Sequence, residues 1–487
     1  MPSCRLAALP PRSLPSWIVP SFLLAACSPT RTAPPPDLVL HHGKIFTGDS
    51  AAPWAQALAI TGDRVVAVGA DSVIVTLAGS TTQQVDLGGR VVVPGFNDAH
   101  DHIVVPLGGV SFATSSDPTP DPPFKQVAES VAAIAKRAPA GTWITTAVGE
   151  RILSDPAARR AALDRIAPRH PVKLQAWSGH GTIWNGPALA IVGLTDTTPD
   201  PIGGRLERDA GKRLSGLAEE YSQFMPSSLG PAPTDSAARA AFVARADEAI
   251  RFGITSIQNM TNAFEPTQID RLLPGLELPV RIRVIRFPGL TEPRSSVAEW
   301  SAITSRSGRT AVSGTKWILD GTPVERLAVL RAPYSDRPGW YGRLDIPPDT
   351  LRAILSRAVR DGDQPIIHAV GDSAIKLVLM TMAAVAPDSV WQRLRLRIEH
   401  GEGLMPDLFP EAKRLGVIVC QNPTHFALTA LAPARYGPTR LAVLQPLKSL
   451  LTNGIALCFG SDGPLNPFLN IMLAAMHPDN PKEAISV

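Results

Sequence analysis

From Asp37 to Val93 the chain is written in short stretches that alternate apolar and polar positions or run β-branched: DLVLHHGKIFTGD, AQALAITGDRVVAVG and STTQQVDLGGRVVVPG. Gly and Asp break the stretches where turns belong, which predicts strands and a small β-sandwich domain, of which residues 37–93 are the N-terminal part. After residue 250 the rhythm changes. GITSIQNM, PVRIRVIRF, GTKWILDG, QPIIHAVGD, LRLRIEHGE, GVIVCQNPTH and GIALCFGSDGP read as near-continuous apolar strands. Helical runs separate them: a run around Ala240–Arg251 stops at Gly253, and Leu351, Ile354, Leu355 and Ala358 share one helical face before Gly362. With the strand that ends at His100 there are eight. Buried parallel strands alternating with helices predict an α/β fold, a (β/α)8 TIM-type barrel over residues 94–487. Residues 104–239 fall between the first and second barrel strands and read as a large insertion of β-like and helical pieces whose arrangement the pattern does not resolve.

Composition changes this picture only at the edges. A chain of 487 residues exceeds one small core. With 18% charged and 44% apolar residues it is globular, and a net charge of +4 without a dense Lys/Arg run gives no footprint for nucleic acid. The N-terminus stands apart. Arg5 and Arg12 precede WIVPSFLLAAC, too short to span a bilayer as a stable helix, so residues 1–26 read as a signal peptide. Leu24-Ala25-Ala26-Cys27 resembles the bacterial lipoprotein cleavage box, in which the cysteine becomes the lipidated first residue. Residues 27–36 then form a Pro-rich tether, and Ser28 resembles sorting to the periplasmic side of the outer membrane in a Gram-negative cell. Cys420 and Cys458, each inside an apolar run, are expected as two buried free thiols.

In a barrel of this kind, chemistry sits where strands end. The chain holds ten histidines. His100 and His102 stand two apart, so on an extended strand both point the same way and can grip one cation. Lys316 lies in the fourth strand, His368 ends the fifth, His400 the sixth and Asp462 the eighth. Four imidazoles and a carboxylate suit zinc or a similar borderline ion. Among Trp317, Ile318 and Leu319, Lys316 should favour the neutral amine, which can take up carbon dioxide as a carbamate. That anion can bridge two cations ~3.5–4 Å apart. The plainer alternative pairs Lys316 with Asp320 at the barrel rim.

The set PGFNDAHDH, KWILDG, HAVGDSA, RIEHGE and GSDGP resembles the amidohydrolase superfamily, and more narrowly its amidohydrolase-3 branch, which includes N-substituted formamide deformylases. Two insertion motifs, SGHGTIWNGPAL and PIGGRLERDAGKRLSGLAEE, strengthen the resemblance to that branch, which runs from Asp37 onward. It implies a metal-activated hydroxide attacking an amide-type, non-peptide carbon of a small molecule. It also implies one or two divalent ions: one held by His100, His102, Lys316 and Asp462, the other by carbamylated Lys316, His368 and His400. Asp462 would be general base and then acid. By the same resemblance His180 could donate to the developing oxyanion. Trp184, Asn185 and His425 are candidates to line the substrate pocket. Glu399 and Asp372 flank ligands and are expected to orient imidazoles. His41, His42, His170 and His477 lie off the strand ends and are expected in loops or at the surface. The family continues past AMHPDNPKEAISV into strands that complete the small domain, so the chain reads as C-terminally truncated. Two alternatives stay open: a non-catalytic envelope lipoprotein that binds a small ligand, and the same barrel acting as a cyclic amidase or deaminase.

Overall fold

The computed structural model describes residues 34–485, apart from 118, 230–232, 261–263, 265, 289–304 and 428–430. The signal peptide and Cys27 lie outside the described residues, as does most of the tether. The chain forms two compact units, one ending at Pro94 and the other beginning at Gly95.

The first unit holds β1 (Leu38–His41), β2 (Lys44–Phe46), β3 (Trp54–Ala55), β4 (Ala57–Thr61), β5 (Arg64–Gly69), β6 (Gln83–Asp86) and β7 (Val91–Val92). They make a four-stranded sheet ordered β5-β4-β1-β6 and a three-stranded sheet ordered β3-β2-β7. Val39, Ala57, Ala59 and Ile74 form its small core. Val91 and Val92, the start of the valine run before His100, pair with Lys44 and Ile45 and so belong to this unit.

The second unit begins with β8 (Phe96–Asp101). Next come β9 (Val110–Ser111), β10 (Ile144–Val148), β11 (Val172–Ala176), β12 (Gly181–Trp184), β13 (Gly204–Arg208) and β14 (Leu214–Glu220). These inserted strands make their own six-stranded sheet, ordered β13-β14-β12-β11-β10-β9. The insertion has its own core as well, in which Val127, Val131, Ile144, Leu163, Leu174 and Ile183 are wholly buried.

The chain then returns with β15 (Ile254–Met260), β16 (Arg281–Arg286), β17 (Thr310–Ile318), β18 (Pro365–Ala369), β19 (Arg397–His400), β20 (Ile418–Gln421) and β21 (Ala456–Phe459). With β8 they form an eight-stranded sheet in the order β21-β20-β19-β18-β17-β16-β15-β8, so the expected barrel and its eight strands are borne out. Every residue of β18 and β19 is buried, as a parallel sheet covered on both faces requires. The helix Pro348–Asp361 buries Leu351 and Leu355 in a cluster with Ile367, Trp391 and Ile398. Truncating Leu355 to alanine there costs about 2–5 kcal/mol.

Among the described residues no ladder joins β21 to β8. The seam closes instead just past β21, where Asp462 N–H donates to the His100 carbonyl at 2.9 Å and Ser461 N–H to Asp98 Oδ1 at 2.9 Å. This closure needs a residue without a side chain, because a β-carbon on Gly460 would collide with His100.

Several expectations need correction here. His170 and His477 lie in loops, as expected, but buried there, 2% and 0% exposed. His170 Nδ1 lies 3.2 Å from the Thr142 carbonyl. His477 donates from Nε2 to the Gln445 carbonyl at 2.8 Å and stacks on Phe426. Asp372 orients no imidazole; it accepts from Arg331 N–H at 2.9 Å. Cys420 and Cys458 are both free and face each other in register, with Cys420 buried and Cys458 partly exposed. Among the described residues no single helix is long and apolar enough to cross a membrane.

Candidate metal centre

His100 is the most constrained residue of the site. It sits on β8, 1% exposed, with its Nδ1 2.6 Å from Glu399 Oε2 on β19. Glu399 is gripped in turn by Arg397, whose Nε and Nη2 donate to the two carboxylate oxygens at 2.8 Å each, while Nη2 also donates to the Ala99 carbonyl. Nδ1 thus carries the proton and Nε2 keeps its lone pair. Burial holds the His100 pKa well below the ordinary histidine range, with the nearby Lys316 charge adding to it, so the ring is neutral and fit to be a ligand.

That lone pair meets two others. His100 Nε2 is 3.2 Å from His102 Nε2, and Asp462 Oδ1 lies 3.7 Å from the first and 3.4 Å from the second. Donor atoms ~2.0–2.1 Å from one tetrahedral ion stand roughly 3.3 Å apart. The triangle therefore fits a divalent cation, and the carboxylate–histidine pairing behind it is the arrangement that orients metal ligands. Asp462 takes a φ of 38°, and His400, across the site, a φ of 66°. Such left-handed backbone is sparsely populated for non-glycine residues and clusters where surrounding structure enforces it. Burial alone would raise the Asp462 pKa, but the facing rings of His100, His102 and His425 and the Lys316 amine hold it well below the usual carboxylate range.

A second group shares Asp462. His400, His425 and Asp462 bring one ligand atom each within 4.8 Å of one another. Asp462 Oδ2 is 3.6 Å from His425 Nε2 and 3.9 Å from His400 Nδ1. His400 Nδ1 is 2.9 Å from Asn422 Oδ1, and Asn422 donates to the Gly460 carbonyl. His425 faces Glu402 on its other side, at 3.8 Å.

His368 sits against His400 with ring centroids 4.5 Å apart. Its Nε2 is buried and has no hydrogen-bond partner, an orphaned lone pair that a cation would satisfy. Lys316 is 2% exposed. Burial pushes its pKa down to about 8 against the opposing pull of Glu399 and Asp462. Its alternative partner is engaged elsewhere: Asp320 accepts from the N–H groups of Val329, Val370 and Gly371 at 2.8, 3.0 and 2.9 Å.

The insertion delivers His180 to this centre, its ring 5.1 Å from that of His368. Burial opposes a charge on His180, but Glu220, 2.9 Å from Nδ1, prevails and its pKa is pushed up to about 9. Trp184 and Asn185 do not reach the site. Trp184 packs with Ala188, Leu189 and Leu206 in the insertion's second core, under Lys173. Asn185 is 0% exposed and caps the helix Gly186–Ile191, accepting from Ala188 N–H and Val172 N–H. Sequence reasoning missed Glu220, Asn422 and Glu402. Glu220 closes one of the quoted insertion motifs, Asn422 stands in QNPTH and Glu402 in RIEHGE, so position beside a candidate was the one signal available.

A family model described as Amidohydrolase family, the amidohydrolase-3 branch, matches residues 83–483. The chain belongs to that family. Membership makes it a metal-dependent hydrolase, in keeping with the donor set above. This amidohydrolase is 28% identical over 466 residues to Protein LONG AFTER FAR-RED 3 of Arabidopsis thaliana, covering 90% of this chain and 77% of that one. It is 32% identical to the N-substituted formamide deformylase of Arthrobacter pascens over 197 residues, only 39% of this chain and 36% of the other. A solved structure of an uncharacterized metal-dependent hydrolase from Pyrococcus furiosus superposes with a TM-score of 0.65 at 22% identity, covering 92% of this chain and 91% of that one. The likeness extends the shared fold over nearly the whole chain.

Proposed function

We propose that this amidohydrolase cleaves a non-peptide, amide-type carbon–nitrogen bond in a small molecule. The observation that carries the reading is the triangle of His100 Nε2, His102 Nε2 and Asp462 Oδ1, backed by Glu399. His100, His102, Lys316 and Asp462 would hold one divalent ion, zinc by the chemistry of the set. Lys316 as a carbamate, His368 and His400 would hold a second. An ion held there polarises the scissile carbonyl and lowers the pKa of water toward ~7.

The chain's own residues then divide the work. Asp462, whose Oδ1 faces the histidine pair and whose Oδ2 faces His425, takes the proton from attacking water and returns it to the departing nitrogen. His180, protonated at neutral pH, donates toward the charge developing on the carbonyl oxygen. His425, partly exposed beside Asp462, lines the approach. Lys316 has the neutral-amine fraction that carbamate formation needs. The Leu24-Ala25-Ala26-Cys27 box supports a lipid-anchored place in the cell envelope.

The test is a panel of N-formyl, N-acyl and cyclic amides assayed for amine release, with Asp462→Asn alongside. Wild type should turn over at least one class, and Asp462→Asn should lose orders of magnitude while its metal content falls less. Metal-loaded, folded protein that hydrolyses none of the panel would overturn the reading.

A further inference from the structure

One buried group beside the centre enters the scheme above only through the charge it holds on His180. Glu220 ends β14 and is 0% exposed. Its two carboxylate oxygens stand 2.9 and 3.1 Å from His180 Nδ1, and its own N–H donates to the His180 carbonyl at 3.3 Å. The same histidine is thus held by side chain and by backbone. To do this Glu220 takes a φ of 53°, a conformation rare for a residue with a side chain. The loop after β17 leaves room for it: a β-carbon on Gly321 would collide with Glu220 Oε1. Behind it stands Asp345. Asp345 is 3% exposed, and burial, with the charge of Glu220 adding to it, pushes its carboxyl well above its ordinary range. A salt bridge that merely fastened the insertion would need none of this strain, and would not need a partner whose ring lies 5.1 Å from that of His368.

We infer that Glu220 is a positioning residue for the reaction: it accepts from Nδ1–H of His180 and fixes the ring plane, so that Nε2–H is the donor left to face substrate. The polar group beside His368 is therefore set by the inserted sheet and not by the barrel. This rests on the reading of His180 as a donor to the substrate carbonyl.

The experiment uses the full chain loaded with zinc, as wild type, Glu220→Ala, Glu220→Gln and His180→Asn. In proton NMR a strongly downfield Nδ1–H signal is expected in wild type, lost in Glu220→Ala and in His180→Asn, and shifted upfield in Glu220→Gln. On the N-formyl amide that wild type turns over fastest, Glu220→Ala should lower kcat by ~10–100-fold with KM nearly unchanged and zinc content retained. Glu220→Gln, which keeps an acceptor, should restore part of the loss. Wild-type kcat in Glu220→Ala, or a downfield signal that survives it, would overturn the assignment. If Glu220→Ala does not fold, an unshifted signal in Glu220→Gln would do so. If wild type hydrolyses no amide, the functional reading fails while the NMR arm still decides whether Glu220 holds His180.

Discussion

Glu399, on the sixth barrel strand, holds the imidazole of His100, on the first, at 2.6 Å. The carboxylate cannot turn away, because Arg397 holds both its oxygens. The pair fixes which nitrogen of His100 faces the centre. Glu399→Gln should therefore weaken binding of zinc by ~10–100-fold. Competition with a chromogenic chelator measures it, with circular dichroism to confirm that the barrel persists. Unchanged affinity would confine Glu399 to neutralising Arg397.

The three donors of the triangle are already close together, so a cation should bind the folded chain and not the unfolded one. Such binding stabilises by about 2.7 kcal/mol at a hundredfold excess over Kd. Zinc or manganese should raise Tm in a concentration-dependent way, and a chelator should reverse it. The double variant His100→Ala/His102→Ala should show no such shift. A metal-dependent rise that persists in the double variant would move the cation elsewhere.

The barrel was legible because its signal is local: each strand is an apolar run and each helix a periodic one. The strand-end groups were legible because one polar residue interrupts each run. Their partners were legible only in part. Glu399 was expected to orient an imidazole and does, but that the ring is His100, 299 positions away, is written in neither neighbourhood. Trp184 misled for a geometric reason. It stands four residues beyond His180 at the end of β12, and at ~3.3 Å per residue the strand carries it ~13 Å from His180 into the insertion's own core. His170 and His477 stand in the expected loops, and only their burial was hidden, because a histidine satisfied by a backbone carbonyl looks, in sequence, like a surface one.

Asp320 gives a pH dependence. Burial outweighs its three backbone donors and pushes its pKa up to about 7, from an unfolded value near 3.8. A carboxyl raised in the folded state contributes stability that is full below ~4 and lost as pH rises through about 7, because the unfolded chain ionises more freely. The whole effect is on the order of 4 kcal/mol. Wild type should lose stability between about pH 4 and about pH 7 relative to Asp320→Asn, which cannot ionise. Urea unfolding of both proteins at each pH measures the difference, and parallel curves would remove Asp320 as its source.

The proposed lipid anchor rests on Cys27. Expressed in a Gram-negative host, the full chain should incorporate radiolabelled palmitate and fractionate with membranes. Cys27→Ser should abolish the label and release the protein from that fraction. A label retained in Cys27→Ser, or no label in wild type, would refute the anchor.

Barrel closure and the metal site depend on the same glycine. Gly460 lies against His100, so a β-carbon there would push on the Cβ and backbone of that residue. Its carbonyl also accepts from Asn422, which positions His400. Gly460→Ala should therefore do two things at once. Overpacking at the seam should cost about 1–3 kcal/mol of stability. Displacement of His100 from Asp462, whose N–H bonds the His100 carbonyl, should also weaken zinc binding. Gly463→Ala is the control, since a β-carbon there would meet only the Ser461 carbonyl, at 3.6 Å. Denaturant unfolding and chelator competition on the two variants separate the effects. A Gly460→Ala protein with native stability and native zinc affinity would show that the seam can open without disturbing the ligands.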